Sequence, residues 1–288
     1  MKLTSILLFG TLASSQAAVY TMNLGAAPGQ SPIDGVDGWV QSEPNYVDGV
    51  GEVYPRSFVH QIGSSSALAL GGYYDSEPST PPGSGVSVSR QLTSLGLNYS
   101  TLSLDFTIQD SITSYPDLVP GDVDRNRFSI GFFDNSGDEL INLVFSPNSQ
   151  STDPSGATNA SWNMFVSSGG VGGAAFGAVL EGSLTLGGVY SLSLVTVPSA
   201  TAGAIDYNLS IVSGLNTQNT SGTLAGLAGE QIDRLKIGWE SAGTEVDGLG
   251  SNFIALNNVV VAVPEPSGLV LCLISSLPLF MRRRRARL

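Results

Sequence analysis

The segment TLSLDFTI, residues 101–108, strictly alternates apolar and polar side chains: Leu102, Leu104, Phe106 and Ile108 against Ser103, Asp105 and Thr107. A period of two places alternate side chains on opposite faces of a strand, so such a segment has one face to bury. The pattern recurs in RFSIGFF (Phe128, Ile130, Phe132), YSLSL (Tyr190, Leu192, Leu194), IDYNLSI (Ile205, Tyr207, Leu209, Ile211) and RLKIGW (Leu235, Ile237, Trp239). NFIALNNVVVAV reads as a last strand, and shorter candidates occupy 57–62, 67–70, 85–90, 139–146, 162–166 and 175–181. About a dozen one-sided strands joined by Gly, Asn, Asp and Ser turns must cover their apolar faces with a second sheet. The expected fold class is therefore all-β, a jelly-roll-type β-sandwich. The best helical pattern, LAGLAGEQIDRL (224–235), is weakened by its glycines.

Composition agrees. The 288 residues include 35 Gly and 15 Pro, which suits many turns, and only 12% are charged. The single cysteine, Cys272, lies near the C-terminus, so the body can hold no disulfide and no cysteine metal site. Residues 19–262 carry six basic and 23 acidic side chains, a net charge of −17. Such a body repels phosphate, which excludes nucleic acid as a partner.

Both ends read as address signals. Lys2, the apolar run 3–12 and the small residues around Ala17 and Ala18 form a secretory signal peptide over 1–18, a substrate for signal peptidase. The other end reads VPEPSGLVLCLISSLPLFMRRRRARL. Its apolar run, 268–281, is shorter than the roughly 20 residues of a stable span. The arginines Arg282, Arg283, Arg284, Arg285 and Arg287 hold that end on the cytoplasmic side and leave the body outside. Pro264 and Pro266 bracket Glu265 and keep the segment extended, out of helix and sheet. A diproline segment, a short apolar helix and a terminal arginine cluster, in that order, resemble the PEP-CTERM sorting signal over 263–288. The resemblance implies a transient inner-membrane anchor, processing by an exosortase near Pro264, Glu265 and Pro266, and association with extracellular polysaccharide at the cell surface. The alternative is a proline-bounded linker before a single-pass anchor. IDGVDGW (33–39) and FIALNNVVV (253–261) also look similar to the first and last strands of concanavalin-like and carbohydrate-binding-module-like sandwiches, which implies a glycan-binding face.

Motifs for chemistry are sparse. His60 sits inside a strand candidate, and no G-x-S-x-G elbow accompanies it. No E-x-D-x-x-E strand is present, and Glu230 and Asp233 only echo one. Asp122, Asp124 and Asn126, at i, i+2 and i+4, offer oxygen ligands at Ca²⁺-loop spacing, and Ca²⁺ is the one cofactor the sequence suggests. The loop departs from an EF-hand at position six, Arg127, and at position twelve, Phe133. DNSGDE (134–139) reads as a hairpin turn. Of Trp39, Trp162 and Trp239, Trp162 follows a polar loop and is the candidate for stacking on a sugar ring, while Trp239 belongs with the core. Asn208, in one of four Asn-x-Ser sequons, is expected on the solvent face of its strand.

Three functions follow. The favoured one is an exported, non-enzymatic β-sandwich at the cell surface that associates with polysaccharide and binds glycan. The others are a glycan hydrolase on the same sandwich, which needs two facing carboxylates roughly 5–10 Å apart, and a purely structural or adhesive matrix subunit.

Overall fold

The computed structural model describes residues 16–25, 31–44, 46–47, 53–54, 57–62, 65–71, 85–110, 127–147, 161–168, 176–185, 187–240 and 252–264. Strands are numbered in chain order: β1 (Gln16–Thr21), β2 (Trp39–Gln41), β3 (Tyr46–Val47), β4 (Val53–Tyr54), β5 (Ser57–Ile62) and β6 (Ser65–Gly71). Then come β7 (Gly85–Gly96), β8 (Thr101–Asp110), β9 (Arg127–Phe133), β10 (Glu139–Pro147), β11 (Ser161–Ser167) and β12 (Phe176–Thr185). The last five are β13 (Val189–Pro198), β14 (Ala204–Ser213), β15 (Asn216–Ala225), β16 (Gln231–Glu240) and β17 (Asn252–Pro264).

Two antiparallel sheets face each other. One has eight strands in the order β15-β14-β13-β8-β17-β6-β5, with β1 also paired to β17; the other has seven in the order β12-β11-β10-β9-β16-β7-β2. β8 runs along one side of β17, and β6 and β1 share the other side end to end. The alternating faces meet in one core. Leu102, Leu104, Phe106 and Ile108 of β8 and Phe128, Ile130 and Phe132 of β9 are all buried in it. Aromatic rings cross the gap: Phe106 meets Phe145 edge-on at 5.3 Å and Tyr20 meets Trp39 at 6.3 Å, while Phe106 also stacks on Tyr190 of its own sheet at 5.2 Å. The expected β-sandwich is present, and Asn208 is on its exposed face.

The details correct several expectations. Residues 33–38 are not a strand, and β2 begins only at Trp39. A short 3-10 turn, Val36–Gly38, precedes Trp39, with Gly35, Asp37 and Gly38 all at positive φ (82°, 51° and 72°). It still does core work, because Ile33 and Trp39 are buried. The helix-like pattern over 224–235 is the end of β15, a turn and the start of β16, with Gly226 and Gly229 at φ 79° and 90°. Pro264 does not stand clear of the sheet; it closes β17 opposite Gln16. A strand end tolerates proline because only one ladder donor is lost. The expected cleavage point near Ala17 or Ala18 falls within β1, next to a bulge, beyond which Tyr20 and Thr21 pair with Val261 and Val260.

The signal-peptide run 3–12, the candidate Ca²⁺ ligands Asp122, Asp124 and Asn126, Glu265, Pro266, the apolar run 268–281 and the terminal arginines lie outside the described residues. Among the described residues no helix is long and apolar enough to cross a membrane.

Candidate functional site

The two outer faces of the sandwich differ in charge. The eight strands of the larger sheet carry no Lys or Arg, whereas the seven-stranded sheet carries Arg90, Arg127, Arg234 and Lys236, four of the body's six basic residues. Alternation decides where they point. In β16 the core takes Ile232, Leu235, Ile237 and Trp239, which leaves Arg234, Lys236, Gly238 and Glu240 outward. In β9 the core takes Phe128, Ile130 and Phe132, which leaves Arg127, Ser129, Gly131 and Phe133 outward. Arg90 is the exception. It sits beside Tyr20 on the core side, its guanidinium 5.2 Å from the ring centroid.

Register assembles the outward residues into rows across the sheet. One row runs Ser89, Lys236, Gly131, Asn142, Ser167; the next runs Ser87, Gly238, Ser129, Val144, Phe165. A row on one side holds Gln91, Arg234, Phe133 and Glu139, and a row on the other side pairs Glu240 with Arg127. Gly131 and Gly238 bear no side chain, so the middle of the face is low. An open groove of about 410 Å³ lies there, lined among others by Ser87, Ser129, Asn142, Lys236 and Glu240. Gly131 is required sterically. A Cβ there would come within 2.7 Å of both the Ile141 carbonyl oxygen and Asn142 Oδ1.

The charged groups around the groove each touch a neighbour. Arg127 and Glu240 form an ion pair at 3.6 Å, Lys236 Nζ lies 5.2 Å from the Phe133 ring centroid, and Arg234 Nε donates to Gln91 Oε1 at 3.2 Å. Glu139 accepts from Ser167 Oγ at 2.7 Å and from Asn142 Nδ2 at 3.0 Å. Asn142 is only 7% exposed, yet its Oδ1 accepts no hydrogen bond from the described residues. A buried acceptor without a donor is costly, and this one lies at the floor of the groove, beside the position a Gly131 Cβ would take.

The outer face of the larger sheet is different in kind. Its grooves, of about 290 and 320 Å³, are lined mainly by Ser103, Ser191, Ser193, Ser210, Asn208 and Asn219. Its polar groups serve one another: Asp105 accepts from Ser191 Oγ and, at 2.7 Å, from Asn258 Nδ2. Thr223 Oγ1 donates to Asp206 at 2.6 Å, and this bond, followed by one from Ser199, holds the Asp206 carboxyl below its ordinary value.

The candidates from sequence fall as follows. Trp162 is a correction. It is fully buried in the core, paired in register with Leu184 and Pro147, so its indole offers no face to a sugar. Trp39 and Trp239 are core as well. His60 lies in β5 with its ring edge-on to Phe58 at 6.3 Å and Phe253 at 5.0 Å. Burial pushes its pKa down, against a hydrogen bond to Gln109, and the ring belongs to an aromatic cluster. Tyr20, outside those candidates, donates to Asp37 Oδ2 at 2.7 Å, and burial foremost, then that bond, pushes its phenol up. Asp134 and Asp138 form the β9–β10 hairpin turn, where the Asp138 amide donates to Asp134 Oδ1 at 2.8 Å. Among the described residues no group of three or more His, Cys, Asp or Glu could hold a metal ion.

No family model matches the chain, and no curated protein matches it. Solved structures do. The CBM2 module of the evolved Dit of Lactobacillus casei BL23 phage J-1 superposes with a TM-score of 0.55 at 10% identity, covering 87% of this chain and 97% of that one. The carbohydrate recognition domain of Emp47p gives 0.47 at 11% identity, over 88% and 99% of the two chains. The exolytic PL7 alginate lyase AlyA5 of Zobellia galactanivorans gives 0.44 at 11%, over 80% and 96%. The first of these three, the one above 0.5, shows a shared β-sandwich fold.

Proposed function

We propose that this protein is an exported β-sandwich that binds polysaccharide, without cleaving it, on the outer face of its seven-stranded sheet. One observation carries the reading. The groove over Gly131 and Gly238 brings together a buried acceptor with no donor, hydroxyl side chains and two cations, Arg127 and Lys236, whereas the strands of the opposite sheet carry no cation. Sugar hydroxyls supply the donor that Asn142 Oδ1 lacks. The fold shared with the CBM2 module supports the same assignment. Residence at the cell surface or in the extracellular matrix, and sorting by an exosortase at Pro264, Glu265 and Pro266, rest on the resemblance of the tail.

A hydrolytic reading of this face meets a geometric objection. Glu139 pairs with Phe133 and Glu240 with Arg127, six residues apart on β9. At about 3.4 Å per residue their backbones are roughly 20 Å apart, against roughly 5–10 Å between the carboxyl groups of a glycosidase pair. Both are also engaged, Glu139 by Asn142 and Ser167 and Glu240 by Arg127.

Affinity electrophoresis of the full chain through gels cast with a panel of bacterial exopolysaccharides tests the reading. Retardation in at least one gel, with the polysaccharide's chain length unchanged after incubation, is the expected result. Free migration in every gel, or shortening of the polysaccharide, would overturn it.

A further inference from the structure

We infer that the groove takes an acidic polysaccharide, one bearing uronate-type carboxylates, and that Lys236 reads the carboxylate while Asn142 reads a neighbouring hydroxyl. This rests on the glycan-binding reading of the same face.

The charge distribution favours it. A body of net charge −17 repels a polyanion over most of its surface. Arg127, Arg234 and Lys236, half of the body's basic residues, nevertheless share this one outer face. None of the three is consumed by a buried partner. Arg127 and Glu240 meet with side chains 50% and 46% exposed, Arg234 is bonded to a neutral amide, and Lys236 rests against a ring. Exposed pairs of this kind are weak and readily exchange partners.

The row through Gly131 gives the geometry. Lys236 and Asn142 both pair with Gly131, one from each side. Two strand spacings put their backbones about 9.6 Å apart, and the residue between them has no side chain. A single pyranose lying over Gly131 therefore reaches both. The orientation of the amide is settled by its other neighbour. The Glu139 carboxylate can only accept, so the nitrogen of Asn142 must face it and the oxygen lies over Gly131, at the floor of the groove. The groove consequently presents an acceptor for a sugar hydroxyl on one side and an ammonium for a carboxylate on the other. Arg127 lies four residues further along β9 from Gly131, about 13 Å away. That spacing gives a second carboxylate of the same chain a partner, so recognition extends over a short oligomer.

Isothermal titration of the full chain with trigalacturonate, its methyl ester and maltotriose separates the roles. Trigalacturonate is expected to bind about tenfold more tightly than the ester, the scale of one charge-assisted contact, with the advantage shrinking as salt is added. Lys236→Met, at a partly exposed position, should remove the preference for acid over ester and leave the urea midpoint unchanged. Asn142→Ala should weaken acid and ester alike. Equal affinity for acid and ester, or a preference that survives Lys236→Met, would overturn the inference while leaving a glycan-binding face. Equal binding of dextran sulfate would overturn it too, because plain charge attraction would then suffice. Failure of all three trisaccharides, together with free migration in every polysaccharide gel, would instead bring down the glycan-binding reading itself.

Discussion

Replacing Trp162 with alanine is expected to destabilise the protein by about 3–5 kcal/mol, the usual cost of emptying a large aromatic site in a core. Trp162 is fully enclosed, and its strand β11 lies one in from the edge of the seven-stranded sheet, between β10 and β12. Such a loss is a large share of the 5–15 kcal/mol by which proteins are generally stable. Trp162→Phe keeps most of the ring and should lose clearly less. Urea unfolding followed by circular dichroism measures both. If Trp162→Ala kept the parent midpoint and lost only polysaccharide binding, the indole would be a ligand platform and its place in the core would be wrong.

A second large effect is expected at Thr196, whose side chain has no exposed surface. Its hydroxyl donates to the Leu97 carbonyl and accepts from the Ser100 amide at 3.1 Å, while its own amide donates to Ser100 O at 2.9 Å. These bonds pin 97–100, the short link by which the chain passes from β7 in one sheet to β8 in the other. Thr196→Val preserves the shape and deletes the hydroxyl, leaving the buried Ser100 amide and Leu97 carbonyl only their long mutual contact of 3.4 Å. The expected loss is about 2–3 kcal/mol, read from the same urea transition. Native-state hydrogen exchange should also show the Ser100 amide exchanging faster. A change below about 0.5 kcal/mol, the range of ordinary surface substitutions, would contradict the anchoring role.

The strands legible in the sequence were those whose side chains alternate because one face is buried. β13 and β14 place Leu192, Leu194, Leu209 and Ile211 in the core as the pattern requires. β15, NTQNTSGTLA, carries no such alternation. It lies at the edge of its sheet and is held by an unbroken ten-residue register with β14, so backbone pairing forms it rather than apolar side chains. The helix-like spacing of Leu224, Leu227, Ile232 and Leu235 came from two strands meeting at a glycine turn, where all four leucine and isoleucine side chains still reach the core. For Trp162 a signal was available and outweighed. The polar loop before it suggested exposure, but alternation through Trp162, Met164 and Val166 already placed all three on one face, which is buried.

The groove itself was not legible. Lys236, Gly131 and Asn142 come from three strands, and Asn142 and Lys236 are far apart in sequence. What joins them is the register of β10, β9 and β16, a non-local property that no short motif encodes. Composition held a partial hint: a body with six basic residues has RNR and RLK among its few basic clusters. Both supply cations to this face, because β9 and β16 are neighbours.

The location of the binding face is tested most directly by placing one bulky side chain on each outer surface in turn. Ser129→Tyr fills the groove of the seven-stranded sheet, and Ser193→Tyr crowds the equivalent surface of the larger sheet. With both variants matched to the parent in urea midpoint, affinity for the retained polysaccharide should fall about tenfold or more in Ser129→Tyr, roughly 1.4 kcal/mol of binding energy, and stay at the parent value in Ser193→Tyr. Parent-like affinity in Ser129→Tyr, or a loss confined to Ser193→Tyr, would contradict the assignment of the cationic sheet as the glycan-binding face.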